Sequence, residues 1–389
     1  MEKKLKQKFV IIIFGPTAVG KSDFAEKLAQ ELLQAQIVNC DLGQFYTKLS
    51  IGVAKPDYKS SKIKQHLFDI IDEPVDFTVA RYREAVFNKI GQIWENNDIP
   101  VLVGGSGFYL KSLFFPPKDI ELESNSNLEK NLDQIIGNIM DQDLWDFLYS
   151  IDQDRAKKID KNDIYRIKRA LDLWVKTGRK PSEFMPKFDF PSNFLCVFLN
   201  KERRELYSQI DIRTDNMIFE GWISEVEELR REESWQEWEA FLKKKKLIGY
   251  DLIIDYVNNF NKIKIKDLIE KKEKSSEFDL LIRNIKQKTR NYAKRQITFW
   301  RSFQEQLKKE VEKNKYTNKV EIIPVDSILN NTNLVDSKVI ELIKSSDFSD
   351  EQINIRKTNN VEIDTKINQE LSVDLQIKKL LAYLKPLFE

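Results

Sequence analysis

From Gly15 to Ser22 the chain reads GPTAVGKS, which satisfies the GxxxxGK[ST] spacing of a phosphate-binding loop. Glycine lets the backbone curl so that successive N–H groups face an anion, lysine adds a point charge, and the last hydroxyl can ligate Mg²⁺. Gly15, Pro16, Thr17, Ala18, Val19, Gly20, Lys21 and Ser22 are therefore the candidate anion site, with Ser22 the candidate metal ligand. The loop alone does not say whether its anion is a triphosphate or a diphosphate. Asp41 ends the run Ile37-Val-Asn-Cys-Asp41 and opens Leu42, Gly43 and Gln44. A carboxylate there could organise Mg²⁺, accept a proton from an attacking group, or cap a turn. Ser106 stands in LVGGSGFY, Leu102 to Tyr109, where a tight turn explains the glycines but not the hydroxyl among them. That run ends without an aspartate, which weighs against a motor ATPase.

These loops need a frame. FVIIIF (Phe9–Phe14), AQIVNCD and IPVLVG are short continuous apolar runs, and amphipathic segments, among them Phe77–Trp94, separate them. Such runs read as parallel strands covered on both faces, which predicts an α/β fold: a P-loop NTPase-like parallel sheet flanked by helices, with a helical insertion domain. In such sheets ligands bind beyond the carboxyl ends of the strands, where all three loops would emerge. After Pro116 strand signals fade, and Leu144–Tyr149 and Ile164–Val175 have helical spacing. Phe194–Leu199 reads as a strand returning to the core, Glu202–Arg230 and Ile282–Phe303 as long helices, and Val320–Val325 as strand-like. The expected division is a core over 1–115 and 192–325, an insertion over 116–191, and an extension over 326–389 with no assigned role.

Composition excludes several classes. Two cysteines far apart, Cys40 and Cys196, and a single histidine, His66, leave no disulfide framework, histidine triad elsewhere or HExxH zinc helix. Charged residues are 32% of the chain yet sum to +2, so a polyanion partner would need a local patch. The basic start, MEKKLKQK, precedes an apolar run too short for a signal peptide, and no run approaches a membrane span. A cytoplasmic protein without a membrane partner is expected. Candidate patches are Tyr165, Arg166, Ile167, Lys168 and Arg169 in the insertion, and Lys294, Arg295, Gln296 and Arg301 in the late helix. Arginine beside aromatics suits phosphate contact and base stacking, although charge runs are commonly solvated helix faces.

The ordered motifs resemble the tRNA dimethylallyltransferase (tRNA isopentenyltransferase) family, bacterial type, over Phe9 to Phe303. They are GPTAVGKS, Asp41-Leu-Gly-Gln44-Phe-Tyr46, Ile51–Pro56, His66–Asp69, Leu102–Tyr109, Asn162-Asp163 with Arg166–Leu171, Thr177-Gly178, Ile248-Gly-Tyr250 and Ala293–Gln296. The resemblance implies transfer of a dimethylallyl group from dimethylallyl diphosphate to N6 of adenine 37 in tRNA. By it, the loop, Lys21, Ser22 with Mg²⁺, and Arg213 would hold the diphosphate. Asp41 would take the N6 proton, and Ser106 would face the same substrate. Asp41, Leu42, Gly43 and Gln44 would touch the target base. Tyr165–Arg169, Lys246, Gly249, Tyr250, Lys294, Arg295, Gln296 and Arg301 would hold the RNA, and the insertion would meet the anticodon stem. A monomer is expected. The chain departs from the family pattern at Leu42, Ser106, Gln65 and Asp160-Lys161. Three alternatives stand beside this: a P-loop small-molecule kinase, an adenylate isopentenyltransferase, and a non-catalytic RNA-binding relative.

Overall fold

A computed structural model describes residues 8–32, 34–117, 140, 143–259, 276–313 and 322–324. The expected extension over 326–389 lies outside them. Two compact units result, one formed by the chain up to Lys111 and from Pro191 onward, the other by Ser112–Phe190.

The first unit is built on six parallel strands: β1 (Phe9–Phe14), β2 (Ala35–Asn39), β3 (Gln65–His66), β4 (Ile99–Gly104), β5 (Asn193–Phe198) and β6 (Ile322–Pro324). Their spatial order is β3-β2-β4-β1-β5-β6, so β1, β4 and β2 lie side by side. Val10 to Phe14 of β1 are buried on both faces, as the unbroken apolar run requires. Helices α1 (Lys21–Leu32) and α2 (Val79–Glu95) lie between the first strands, and α3 (Gly107–Phe114) follows β4. α1 lays Phe24, Ala25, Leu28 and Ala29 against the sheet in a cluster with Ile11, Ile13 and Val101. Thr78 caps α2 by accepting from Arg81 N.

The two-residue strand β3 has no sequence signal of its own; it pairs through Val38 and His66. The single histidine is structural. His66 Nε2 lies 2.6 Å from Gln36 Oε1, and Gln36 Nε2 donates to Asp98 Oδ2 at 2.6 Å. Burial first, and then the charges of Lys89 and Lys64, lower its pKa to about 4. Because the folded value lies below the ordinary 6.5, this group's contribution is complete above 6.5 and is lost as pH falls toward 4. Chemical unfolding across that window should therefore show wild type losing stability relative to His66→Gln, which keeps a donor for Gln36. Parallel pH profiles would refute the assignment.

The second unit contains α4 (Leu144–Ile151), α5 (Gln153–Ala156) and α6 (Ile164–Thr177). Their shared core is Leu144, Leu148, Ala156, Ile159, Ile167, Ala170 and Leu171. Asp163 caps α6 through Arg166 N, and Gly178 ends it in the left-handed region at φ 64°. Returning to the first unit, the expected single helix over Glu202–Arg230 is two, α7 (Arg203–Phe219) and α8 (Trp222–Arg230). The break falls at Gly221, whose φ of 107° no helix accommodates. α9 (Trp235–Lys245), α10 (Tyr250–Asn259) and α11 (Ser276–Lys313) complete it, and α11 extends beyond the expected Ile282–Phe303 at both ends.

Candidate active site

Three adjacent strands deliver the chemistry. The phosphate loop follows β1, Asp41 follows β2 and Ser106 follows β4, so all emerge at the carboxyl edge of neighbouring strands. They meet in a cavity of about 1730 Å³. Thr17 to Ser22, Asp41 to Gln44, Ser106 and Arg213 line it, as do Lys246, Tyr250 and Gln296. Gly15 and Pro16 are buried beneath the loop. Ala18 at φ 61° and Gly20 at φ 92° give the loop its curl; Ala18 holds a conformation that costs a residue with a Cβ about 1–2 kcal/mol.

Lys21 and Arg213 are half-buried in the cavity. Lys21 Nζ donates to Pro16 O at 2.8 Å. Burial lowers its pKa to about 8; Asp41 opposes that and Arg213 adds to it. Arg213, on α7, also has a lowered pKa through burial, and its Nη1 donates to Thr17 Oγ1 at 3.4 Å. An anion entering here would meet Lys21 and Arg213, with Asp41 and Asp23 as the nearby carboxylates.

Residue 41 is held at its backbone by one neighbour and at its carboxylate by another loop. Asp41 N donates to Asn39 Oδ1 at 2.9 Å, and Asn39 Nδ2 donates to Leu67 O at 3.0 Å. Gly105 N and Ser106 Oγ each lie 3.4 Å from an Asp41 carboxylate oxygen, and Leu42 N donates to Ser106 Oγ at 3.1 Å. The Asp41 side chain makes no cap bond to the short 3₁₀ turn Leu42–Phe45. That argues against the turn-cap reading. Gln44 Nε2 donates to Val53 O and Ala54 O, both at 3.2 Å, so its amide nitrogen serves the cavity wall.

The spacing of β2 and β4 behind this site depends on Gly104. A Cβ there would sit 2.6 Å from Cys40 C and 2.9 Å from Cys40 Cβ, where Cys40 N already bonds Val103 O at 2.8 Å. Gly104→Ala must push two backbones apart, so a loss of about 1–3 kcal/mol is expected in denaturant unfolding. An unchanged midpoint would refute it.

The residues expected to bind RNA separate into two sets. Tyr165, Arg166, Lys168 and Arg169 are exposed on α6, Lys294, Arg295 and Arg301 on α11, and Lys246 follows α9 in the left-handed region at φ 52°. Four others are buried, although Tyr250 and Gln296 still line the cavity. Ile167 is in the core of the second unit. Gly249 and Tyr250 pack against Trp222, and the Tyr250 hydroxyl donates to Glu225 Oε1 at 2.7 Å. Gln296 is also buried. Helical phase explains this: Ala293, Gln296, Trp300, Phe303 and Leu307 share the inner face of α11. Sequence reasoning missed Asn39, whose amide bonds Asp41 N two residues on, and Tyr292. Tyr292 lines the cavity one turn before Gln296, its hydroxyl kept protonated by burial and by the nearby Asp41 charge.

Fold and site together define a P-loop α/β protein whose anion loop faces a carboxylate. The model of the IPP transferase family matches residues 44–303. The tRNA dimethylallyltransferase of Finegoldia magna is 34% identical over 301 residues, covering 76% of this chain and 88% of that protein. That of Natranaerobius thermophilus is 31% identical over 305 residues, covering 77% and 86%. Among solved structures, a eukaryotic dimethylallyltransferase acting on tRNA aligns with a TM-score of 0.59 at 28% identity, over 75% of this chain and 69% of that one. The tRNA isopentenylpyrophosphate transferase of Bacillus halodurans aligns with a TM-score of 0.52 at 28% identity, over 87% and 99%. The chain belongs to the IPP transferase family. It is a prenyltransferase, and this reading is favoured over the kinase, adenylate and non-catalytic alternatives. Among the described residues no helix is long and apolar enough to cross a membrane.

Proposed function

We propose that the protein transfers the dimethylallyl group of dimethylallyl diphosphate to N6 of adenine 37 in tRNA and releases diphosphate. One observation carries the reading: a desolvated cationic anion loop and a carboxylate anchored by the neighbouring loop face the same cavity. The N6 lone pair attacks the allylic carbon, the carbon–oxygen bond breaks, and its electron pair leaves with the diphosphate. The N6 proton passes to Asp41. Backbone N–H groups of the loop, Lys21 and Arg213 stabilise the charge that grows on the leaving oxygen.

Among the described residues no group of three or more His, Cys, Asp or Glu could hold a metal ion. Ser22 contributes one hydroxyl at the cavity wall. This donor set suits Mg²⁺ carried mainly by diphosphate oxygens and water, with Ser22 as the protein's ligand. Bound there, Mg²⁺ would neutralise charge on the leaving diphosphate. The target base must leave its stack to reach the cavity. The exposed cations of α11 and Lys246 would contact the RNA around that base, and those of α6, in the second unit, would serve as a separate anticodon-stem contact, in a cytoplasmic enzyme acting as a monomer.

Purified protein incubated with labelled dimethylallyl diphosphate, Mg²⁺ and unmodified tRNA should place label in RNA, at the adenine in position 37. Label transferred to free nucleotide, or to no acceptor at all, would overturn the reading.

A further inference from the structure

Gln296 stands in a basic stretch of α11, but its side chain lies on the other face of the helix. Lys294, Arg295 and Arg301 are exposed; Gln296 is buried and reaches two loops at once. Its Oε1 accepts from Thr17 N at 2.9 Å, and its Nε2 donates to Gly105 O at 2.9 Å. Thr17 Oγ1 in turn accepts from Arg213, while Gly105 N donates to Asp41 Oδ2 at 3.4 Å. One amide thus ties the anion loop and its arginine to the loop that holds the carboxylate.

The bridge has a defined polarity. Thr17 presents a donor and Gly105 an acceptor, so only a group with one of each at this spacing satisfies both. A carboxylate could serve Thr17 but would oppose the Gly105 carbonyl. Gly105 admits the amide because it has no side chain: a Cβ there would lie 2.7 Å from Gln296 Nε2 and 3.5 Å from Asp41 Oδ2.

We propose that Gln296 is a positioning residue that sets the separation between the departing diphosphate and the proton-accepting carboxylate, and does not act by contacting RNA. The identity of the reaction rests on the proposed function; the bridge between the loops does not. Misplacing reacting groups by about 1 Å can cost on the order of a hundredfold in rate, so the bridge acts on the chemical step.

The test compares full-length wild type with Gln296→Met, which keeps volume and loses both bonds, and Gln296→Glu, which keeps the acceptor alone. At saturating donor and tRNA, kcat should fall by about 10–100-fold while KM for tRNA stays within about twofold. Titration with inorganic pyrophosphate and Mg²⁺ should show affinity weakened severalfold, because Thr17 is released. Lys294→Ala should instead raise KM for tRNA and bind pyrophosphate as wild type does. A rise in tRNA KM with unchanged kcat in folded Gln296 variants would make Gln296 an RNA contact and overturn the proposal, as would unchanged pyrophosphate affinity. Should Gln296→Met not fold, Gln296→Glu carries the comparison. If wild type transfers no prenyl group, the proposed reaction fails and the pyrophosphate titration alone decides the bridge.

Discussion

Asp41→Asn should lower the rate of prenyl transfer by about 10²–10⁴-fold at saturating substrates while leaving the protein folded. The substitution is nearly isosteric, and either orientation of the new amide can keep an oxygen toward Gly105 N or Ser106 Oγ, which hold the present carboxylate. Asn39 fixes the backbone at residue 41 independently of the side chain. What disappears is the ability to accept a proton. An exocyclic adenine amine is a weak nucleophile, and without proton removal the attack builds positive charge on nitrogen beside Lys21 and Arg213. Pyrophosphate should bind at least as tightly as in wild type, because a negative charge facing the anion site is gone. Rapid-quench single-turnover measurements on labelled tRNA, with pyrophosphate titration alongside, separate these effects. Transfer persisting above about a tenth of the wild-type rate would assign the proton to another group.

Contiguous features of the site are legible in sequence, and features that depend on helix phase are less so. GPTAVGKS, Asp41 and Ser106 each follow an apolar run, so the rule that ligands lie beyond strand ends is enough to bring them together. The parallel sheet follows from the same runs, whereas β3 escapes because two residues carry no period. In Lys294–Arg301 the motif crosses both faces of one helix. Reading it as a block does not separate buried Gln296 from its exposed neighbours, although the spacing of Ala293, Gln296, Trp300 and Phe303 already marks an inner stripe. Ile167 is the same case on α6, four residues before Leu171 in one core. Asn39 and the Gln296 bridge belong to a different class. Asn39 combines a local bond to Asp41 N two residues on with a tertiary one to Leu67 O, whereas the Gln296 bridge spans 279 positions of sequence and nothing local encodes it.

Lys21→Ala should lower transfer by about 10²–10³-fold, the scale of losing one preorganised donor at a developing anion, and should weaken pyrophosphate binding. Its effect on stability should have the opposite sign. The folded protein lowers the Lys21 pKa from 10.5 to about 8, chiefly by burial. A group that gives up its proton more readily when folded makes stability fall as pH drops from 10.5 through 8, so at neutral pH the charged lysine is a burden on the empty enzyme. Removing it should leave the thermal midpoint equal to or above that of wild type. Saturating pyrophosphate should then raise the midpoint of wild type well above that of the variant, because only wild type regains in binding what it loses in desolvation. Lys21→Arg should not restore transfer: the loop curls around an ammonium donating to Pro16 O, and a planar guanidinium needs a wider seat. If the midpoint of the empty Lys21→Ala variant falls together with its activity, the lysine serves chiefly to hold the loop through Pro16. Electrostatic stabilisation of the leaving group would then rest on Arg213 and the backbone N–H groups.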